Sequence, residues 1–143
     1  MALREHSEGI LIDMGIERME EGRCRGALLC FETAERQIRG RRGQLGPRLV
    51  SDLAYCLAMR ANLLMQIDGG TVEEVVAVGK EALGLYSRNQ EVFMDEIMTL
   101  SHNLGVYLET KGREELASAY SHQARAMQEV HYGVSDARRK IVE

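Results

Sequence analysis

The sequence predicts an all-α protein, and three observations support this. The 143 residues contain a single proline and are rich in Ala, Leu, Met, Glu and Arg, which are residues that favour helices. Apolar residues recur at spacings of three and four along most of the chain, and no segment alternates with a period of two. Small residues near the beginning of the chain also reappear in the same register near its end. We therefore expect helices throughout and no β-strand.

The shared register relates the first two predicted helices to the last two. Four small residues, Gly15, Gly22, Ala27 and Ala34, are matched 90 positions later by Gly105, Gly112, Ala117 and Ala124. Phe31 breaks the pattern, because Ser121 stands at the matching position and Tyr120 lies beside it. A looser middle copy is expected about halfway between, and it consists of Ala61, the Gly69-Gly70 turn, Val75 and Ala82.

Helix signals follow in chain order after the first pair. Pro47 suits the first turn of the third helix, where its missing N–H is not needed. Thr71 and Glu74 form a capping box that begins the fourth helix, and Ser135 suits the N-cap of a short seventh. Adjacent helices must pack antiparallel across loops this short. The predicted helices span residues 3–20, 24–38, 48–67, 72–87, 90–110 and 113–130, followed by a cap over 135–143.

These residues resemble the tetratricopeptide repeat (TPR) family, in particular its long-helix variety. The family pattern runs through Leu-Gly, Ala, an aromatic residue and Ala. It is matched here by Leu11, Met14-Gly15, Ala27, Phe31 and Ala34, and again by Leu104-Gly105, Leu108, Gly112, Ala117, Tyr120 and Ala124. The resemblance implies one domain over residues 1–143, folded as a right-handed superhelical array of antiparallel helix pairs. Its three TPR-like repeats would span residues 3–39, 48–87 and 90–130, with a short C-terminal capping helix at 135–143.

The same resemblance implies a binding groove on the concave face, lined by the first helix of each pair. By register, the groove residues are Ile12, Ile16 and Met19, then Tyr55, Asn62, Met65 and Gln66, then His102, Val106, Glu109 and Thr110. Asn62 and Gln66 are one turn apart and suit the backbone amides of a peptide, although they also suit a merely solvated face. Because the groove set contains no lysine, a mixed apolar and polar segment fits better than a terminal carboxylate.

Charged stretches offer alternative functions. The segment with Arg36, Arg39, Arg41, Arg42 and Arg48 suits phosphate or RNA, and its possible anion-binding set is Arg39, Arg41, Arg42 and Arg48. A solvated loop is the simpler interpretation, because aromatic residues for base stacking are missing and the net charge of −4 disfavours general nucleic-acid binding. A second stretch, with Asp13, Glu17, Glu20 and Glu21, is interpreted as a solvated helix face.

Other classes of function have no support in the sequence. The histidines show no His-x-x-x-His spacing, and no catalytic constellation is recognisable, so we expect no metal, no cofactor and no enzymatic activity. Three cysteines, Cys24, Cys30 and Cys56, form no disulfide framework, and no signal or membrane segment is recognisable, which favours the cytoplasm. We expect the partner to be another protein or a peptide. An alternative is a regulatory sensor of a small peptide or anion (phosphate or RNA), which would use the same groove or the Arg-rich loop over residues 36–48. The ends of the array suit self-association.

Overall fold

The computed structural model describes the backbone of residues 7–142 and the side chains of residues 7–130. Within this range it contains six α-helices and no strand, which confirms the all-α prediction. The helices are α1 (Ser7–Glu20), α2 (Cys24–Arg39), α3 (Pro47–Ile67), α4 (Val72–Tyr86), α5 (Met94–Thr110) and α6 (Glu114–Val142), with a 3₁₀ turn at Ser87–Asn89. Residues 1–6, which include the predicted start of the first helix, lie outside the described part of the chain.

Two helix boundaries among the described residues differ from the prediction by more than one residue. Helix α5 begins at Met94 instead of residue 90. A 3₁₀ turn precedes it, and the N–H groups of Val92 and Phe93 both donate to the Asn89 carbonyl, so these residues still belong to the turn. Helix α6 continues without a break to Val142, so the predicted separate cap over 135–143 is wrong as far as the described backbone extends. A single glycine inside a helix costs only about 1 kcal/mol, and Gly133 therefore does not end it.

The chain divides into two compact units, which are described separately. The first ends at Tyr86 and contains α1 to α4, in which each helix packs against the next one along the chain. The second begins at Ser87 and contains the pair α5 and α6. The predicted repeats correspond to the pairs α1–α2, α3–α4 and α5–α6.

The turns within the first and third pairs have the same geometry. Gly22 has a φ of 76°, and its N–H donates to the Met19 carbonyl at 3.0 Å while the next N–H donates to the Arg18 carbonyl at 2.8 Å. This is a Schellman motif, in which a left-handed residue ends the helix. Gly112 also has a φ of 76° and the same two hydrogen bonds, of 3.1 and 2.9 Å. The repeat of 90 residues is therefore present in the backbone.

The turn between α3 and α4 differs from the other two. Asp68 and Gly70 are its left-handed residues, with φ values of 52° and 74°, and the N–H of Gly69 donates to the Leu64 carbonyl at 3.0 Å. The N–H of Glu74 then donates to the Thr71 hydroxyl at 3.1 Å, as the predicted capping box requires. The Gly69-Gly70 turn and this cap were predicted correctly. Together they add two residues to the connection between α3 and α4, which shifts the register of the middle copy and explains why it matches less well.

Glycines at matching positions allow both helix pairs to approach closely. A Cβ on Gly15 would lie 2.8 Å from Cζ of Phe31, and a Cβ on Gly105 would overlap the hydroxyl of Ser121. Phe31 and Ser121 therefore occupy equivalent places against a glycine, although their side chains differ. This equivalence explains the one mismatch in the sequence repeat. The space beside the glycine is filled by the ring of Phe31 in the first pair and by the small hydroxyl group of Ser121 in the third pair.

We expect Gly15→Ala to lower the free energy of unfolding by about 1–2 kcal/mol, because overpacking against a buried ring outweighs the helix propensity of alanine. Phe31 is fully buried and has no room to move away. Gly9→Ala is the matched control, since the same change in the same helix meets nothing within 4 Å. It should stabilise the protein by up to about 1 kcal/mol. Urea denaturation measures both, and equal effects would contradict the close packing of α1 and α2.

Candidate partner-binding site

The site is built on a core cluster shared by the first three helices. Its buried members are Ile12 from α1, Ala27, Phe31 and Ala34 from α2, and Cys56 and Leu63 from α3. Around it, half-buried apolar side chains of α1 and α3 pack on the cluster and keep part of their surface accessible. Among them are Ile16, Met19, Tyr55 and Met59. The cluster thus fixes the backbone beneath a partly open apolar surface.

Helix α3 is enclosed on most sides and accessible on one. Its residues Tyr55, Met59, Asn62 and Gln66 follow at spacings of four, three and four, which places them on one face. Three of them are half-buried, and Gln66 is exposed. We call Ile16, Met19, Tyr55, Met59, Asn62 and Gln66 together the α1–α3 surface. It combines an apolar floor with two amide groups at one end of α3.

Tyr55 is held in a defined orientation at this surface. Its ring meets the ring of Phe31 edge to face, with centroids 5.9 Å apart and an interplanar angle of 70°. Burial raises the pKa of the Tyr55 phenol, so the hydroxyl stays a neutral hydrogen-bonding group over the physiological range. A rigid aromatic residue with a polar end is typical of protein-binding surfaces.

The structure separates the predicted groove residues of the first unit. Ile12 is only 9% exposed and belongs to the core cluster, so its predicted place in the groove is wrong. Met65 is half-buried and lies three residues from Asn62, about 60° around α3, so it borders the face of Tyr55 and Asn62. Met59 was missed by the sequence register, and its spacing of four from Tyr55 was the available signal.

The predicted residues of the second unit lie on an exposed face of α5. His102, Val106 and Glu109 are exposed and follow at spacings of four and three. His102 lines a surface depression of about 310 Å³, and the other lining residues are Met98, Thr99, Ala124 and Gln128. Thr110 donates to the Tyr107 carbonyl at 2.6 Å. Two of these lining residues, Ala124 and Gln128, belong to α6, whose residues the sequence register did not consider.

Carboxylates already pair with part of the arginine-rich segment. Arg39 donates to Glu81 at 2.8 Å and to Glu35 at 3.0 Å, and the hydrogen bond to Glu81 is the main cause of its raised pKa. Arg41 donates from Nε to Glu8 at 2.9 Å. Arg42 and Arg48 are exposed. Two of the four predicted anion-binding guanidinium groups are thus held by acids of the same unit.

Arg48 lies close to Asp52 at the beginning of α3. Burial raises the pKa of the Asp52 carboxyl, the positive charge of Arg48 opposes this, and the negative charge of Glu8 adds to it. An added anion would therefore meet two carboxylates on this side of the segment.

The acidic residues of α1 are oriented differently. Asp13, Glu17 and Glu20 are exposed and have no cationic partner among the described residues. Arg18, which interrupts this stretch in the sequence, lies against α2, where it donates to the Gly26 carbonyl at 3.3 Å and the Cys30 sulfur at 3.1 Å. The exposed carboxylates agree with the predicted solvated helix face.

The cysteines are separate thiols, and none of the three forms a disulfide. Burial raises the pKa of the Cys56 thiol to about 12, helped by the negative charges of Asp52 and Glu35, so it stays protonated and unreactive. Within the described residues, no three His, Cys, Asp or Glu side chains converge as a metal site would require. None of the described helices combines the length and apolar character needed to cross a membrane.

The fold and this surface define an all-α protein with a partly open apolar face over a three-helix core. Comparison with protein-family models, curated proteins and solved structures found no match for the chain.

Proposed function

We propose that this protein binds another protein or a peptide through the α1–α3 surface, and that it acts by binding and not by catalysis. The observation that carries the proposal is the half-buried apolar floor of Ile16, Met19, Tyr55 and Met59, which stays accessible above a fully packed core. Apolar side chains fixed from below and bordered by amides suit a partner segment, because little conformational entropy is lost on binding.

The proposal includes a TPR-like arrangement of the three helix pairs in a right-handed superhelix. Its support is the identical turn geometry at Gly22 and Gly112 and the matching close contacts of Gly15 and Gly105. In such an array the first helices line one face, and both α3 and α5 present polar and apolar side chains. Stacking of the array ends on a second copy stays a prediction, which sedimentation analysis would test.

A partner with apolar and polar groups is favoured over a small anion. Arg39 and Arg41 are paired with Glu81 and Glu8, so an anion at the arginine-rich segment would have to displace carboxylates. The apolar floor of the α1–α3 surface consists of uncharged side chains, so no carboxylate has to leave it. We also propose that the protein works in a reducing compartment such as the cytoplasm, because its three cysteines form no disulfide bond.

The test is affinity capture with the full chain and an Asn62→Ala, Gln66→Ala variant. We expect the variant to lose most of the captured partner, because the amides that anchor the partner backbone are removed, while its helical circular dichroism is unchanged. The control is Gln44→Ala with Gln90→Ala, which removes two exposed amides elsewhere. Full retention of the partner by the first variant would place the binding surface elsewhere.

A further inference from the structure

Acidic side chains in the first unit differ in their pairing. Five carboxylates form ion pairs with arginines, and these are Glu8, Glu21, Glu35, Glu74 and Glu81. Asp13, Glu17 and Glu20, by contrast, have no cationic partner in the described part of the chain and all lie on one exposed face of α1. Glu8, on the buried side of α1, is therefore compensated by Arg41, whereas the three carboxylates on the exposed face of α1 are not.

Apolar residues border this acidic face of α1 on both sides. At about 100° per residue, Asp13, Glu17 and Glu20 lie between Ile16 with Met19 and the pair Ile10 with Met14. Ile10 is 51% exposed and Met14 is 37% exposed. Ile16 and Met19 belong to the α1–α3 surface. The negative charges therefore border the proposed binding site directly, at Ile16 and Met19.

We propose that the partner segment is basic as well as apolar: its aliphatic or aromatic side chains cover the α1–α3 surface, and its Lys or Arg side chains pair with Asp13, Glu17 and Glu20. This inference rests on the proposed function and adds the chemistry of the partner. A basic segment would gain favourable Coulomb energy at every one of these carboxylates, whereas an acidic segment would be repelled by all three. Nucleic acid would be repelled for the same reason.

The probe is a library of random peptides displayed on phage and selected against the full chain. We expect the enriched peptides to combine Lys or Arg with apolar residues. A selected peptide is then synthesised with a fluorophore, and its Kd is measured by anisotropy. Raising NaCl from about 0.1 M to about 1 M shortens the Debye length from about 10 Å to about 3 Å and should weaken binding clearly.

Three substitutions test the acidic residues directly. In the triple variant Asp13→Asn, Glu17→Gln and Glu20→Gln, the peptide should bind about tenfold more weakly, because three exposed ion pairs are lost. The matched control, Glu91→Gln with Glu114→Gln and Glu129→Gln, changes the net charge equally at exposed positions of the second unit. It should change the Kd by less than about twofold.

The outcomes separate this inference from the proposed function. If the selected peptides are neutral or acidic, and lose binding in the Asn62→Ala, Gln66→Ala variant but not in the acidic triple variant, the site is correct and the basic partner is refuted. If both charge variants weaken a basic peptide equally, only long-range attraction acts and the pairing with α1 is refuted. If no peptide is enriched, both proposals are contradicted.

Discussion

Replacement of Phe31 by alanine should lower the free energy of unfolding by about 3–5 kcal/mol, the cost typical of removing a buried phenylalanine. The ring is fully buried, fills the space above Gly15 and contacts the ring of Tyr55 edge to face. Its loss leaves a cavity between α1, α2 and α3, which rigid helices cannot close completely. Urea denaturation followed by circular dichroism measures the change.

The control for Phe31→Ala is Leu29→Ala in the same helix. Leu29 is 58% exposed, so its truncation should change stability by no more than about 0.5 kcal/mol. Because Tyr55 loses its aromatic neighbour, Phe31→Ala should also weaken the near-ultraviolet circular dichroism of tyrosine. A loss below about 1 kcal/mol for Phe31→Ala would contradict the three-helix core.

Glu35→Ala should lower the free energy of unfolding by about 2 kcal/mol. The substitution removes hydrogen bonds between charged groups, and losing such bonds is costly where the groups are buried. Glu35 is 8% exposed and accepts hydrogen bonds from Arg39 at 3.0 Å and from Arg60 at 2.9 Å. It joins α2 to α3, and through Glu81 and Glu74 the same arginines reach α4. The expected loss of stability is smaller than for a fully buried ion pair, because both arginines are partly exposed.

The control for Glu35→Ala is Glu32→Ala on the same helix, which has no arginine partner among the described ion pairs. It should change the midpoint of urea denaturation only slightly. Glu35→Gln should fall between the two, because the amide oxygen still accepts one hydrogen bond. If Glu35→Ala and Glu32→Ala were equally stable, the ion pairs between α2, α3 and α4 would contribute nothing measurable.

Helices and turns were predictable because their causes are local. The start of α3 follows from Pro47, and the start of α4 follows from the Thr71 cap, whose hydrogen bond is present. Gly22 and Gly112 end their helices because only a residue without Cβ adopts a positive φ easily. The break before Ser135 was predicted wrongly, since a suitable N-cap residue does not end a helix that can continue.

The site was predictable only in part. The spacing of Tyr55, Asn62 and Gln66 identified an accessible face of α3, because helical periodicity places those residues together. The same reasoning misplaced Ile12, since periodicity finds the side of a helix but not how deeply a neighbour covers it. Whether these residues bind a partner stays a prediction.

The sequence by itself determined the all-α class and most helix ends, because each depends on residues a few positions apart. It also determined the 90-residue repeat, because matching residues recur in one register. Only the tertiary structure decided which charges are compensated. Arg39 meets Glu81 and Arg41 meets Glu8 across 42 and 33 positions, while Asp13, Glu17 and Glu20 stay exposed. Such pairings depend on how the helices pack against one another. The sequence of one helix does not show which neighbouring helix its side chains will contact.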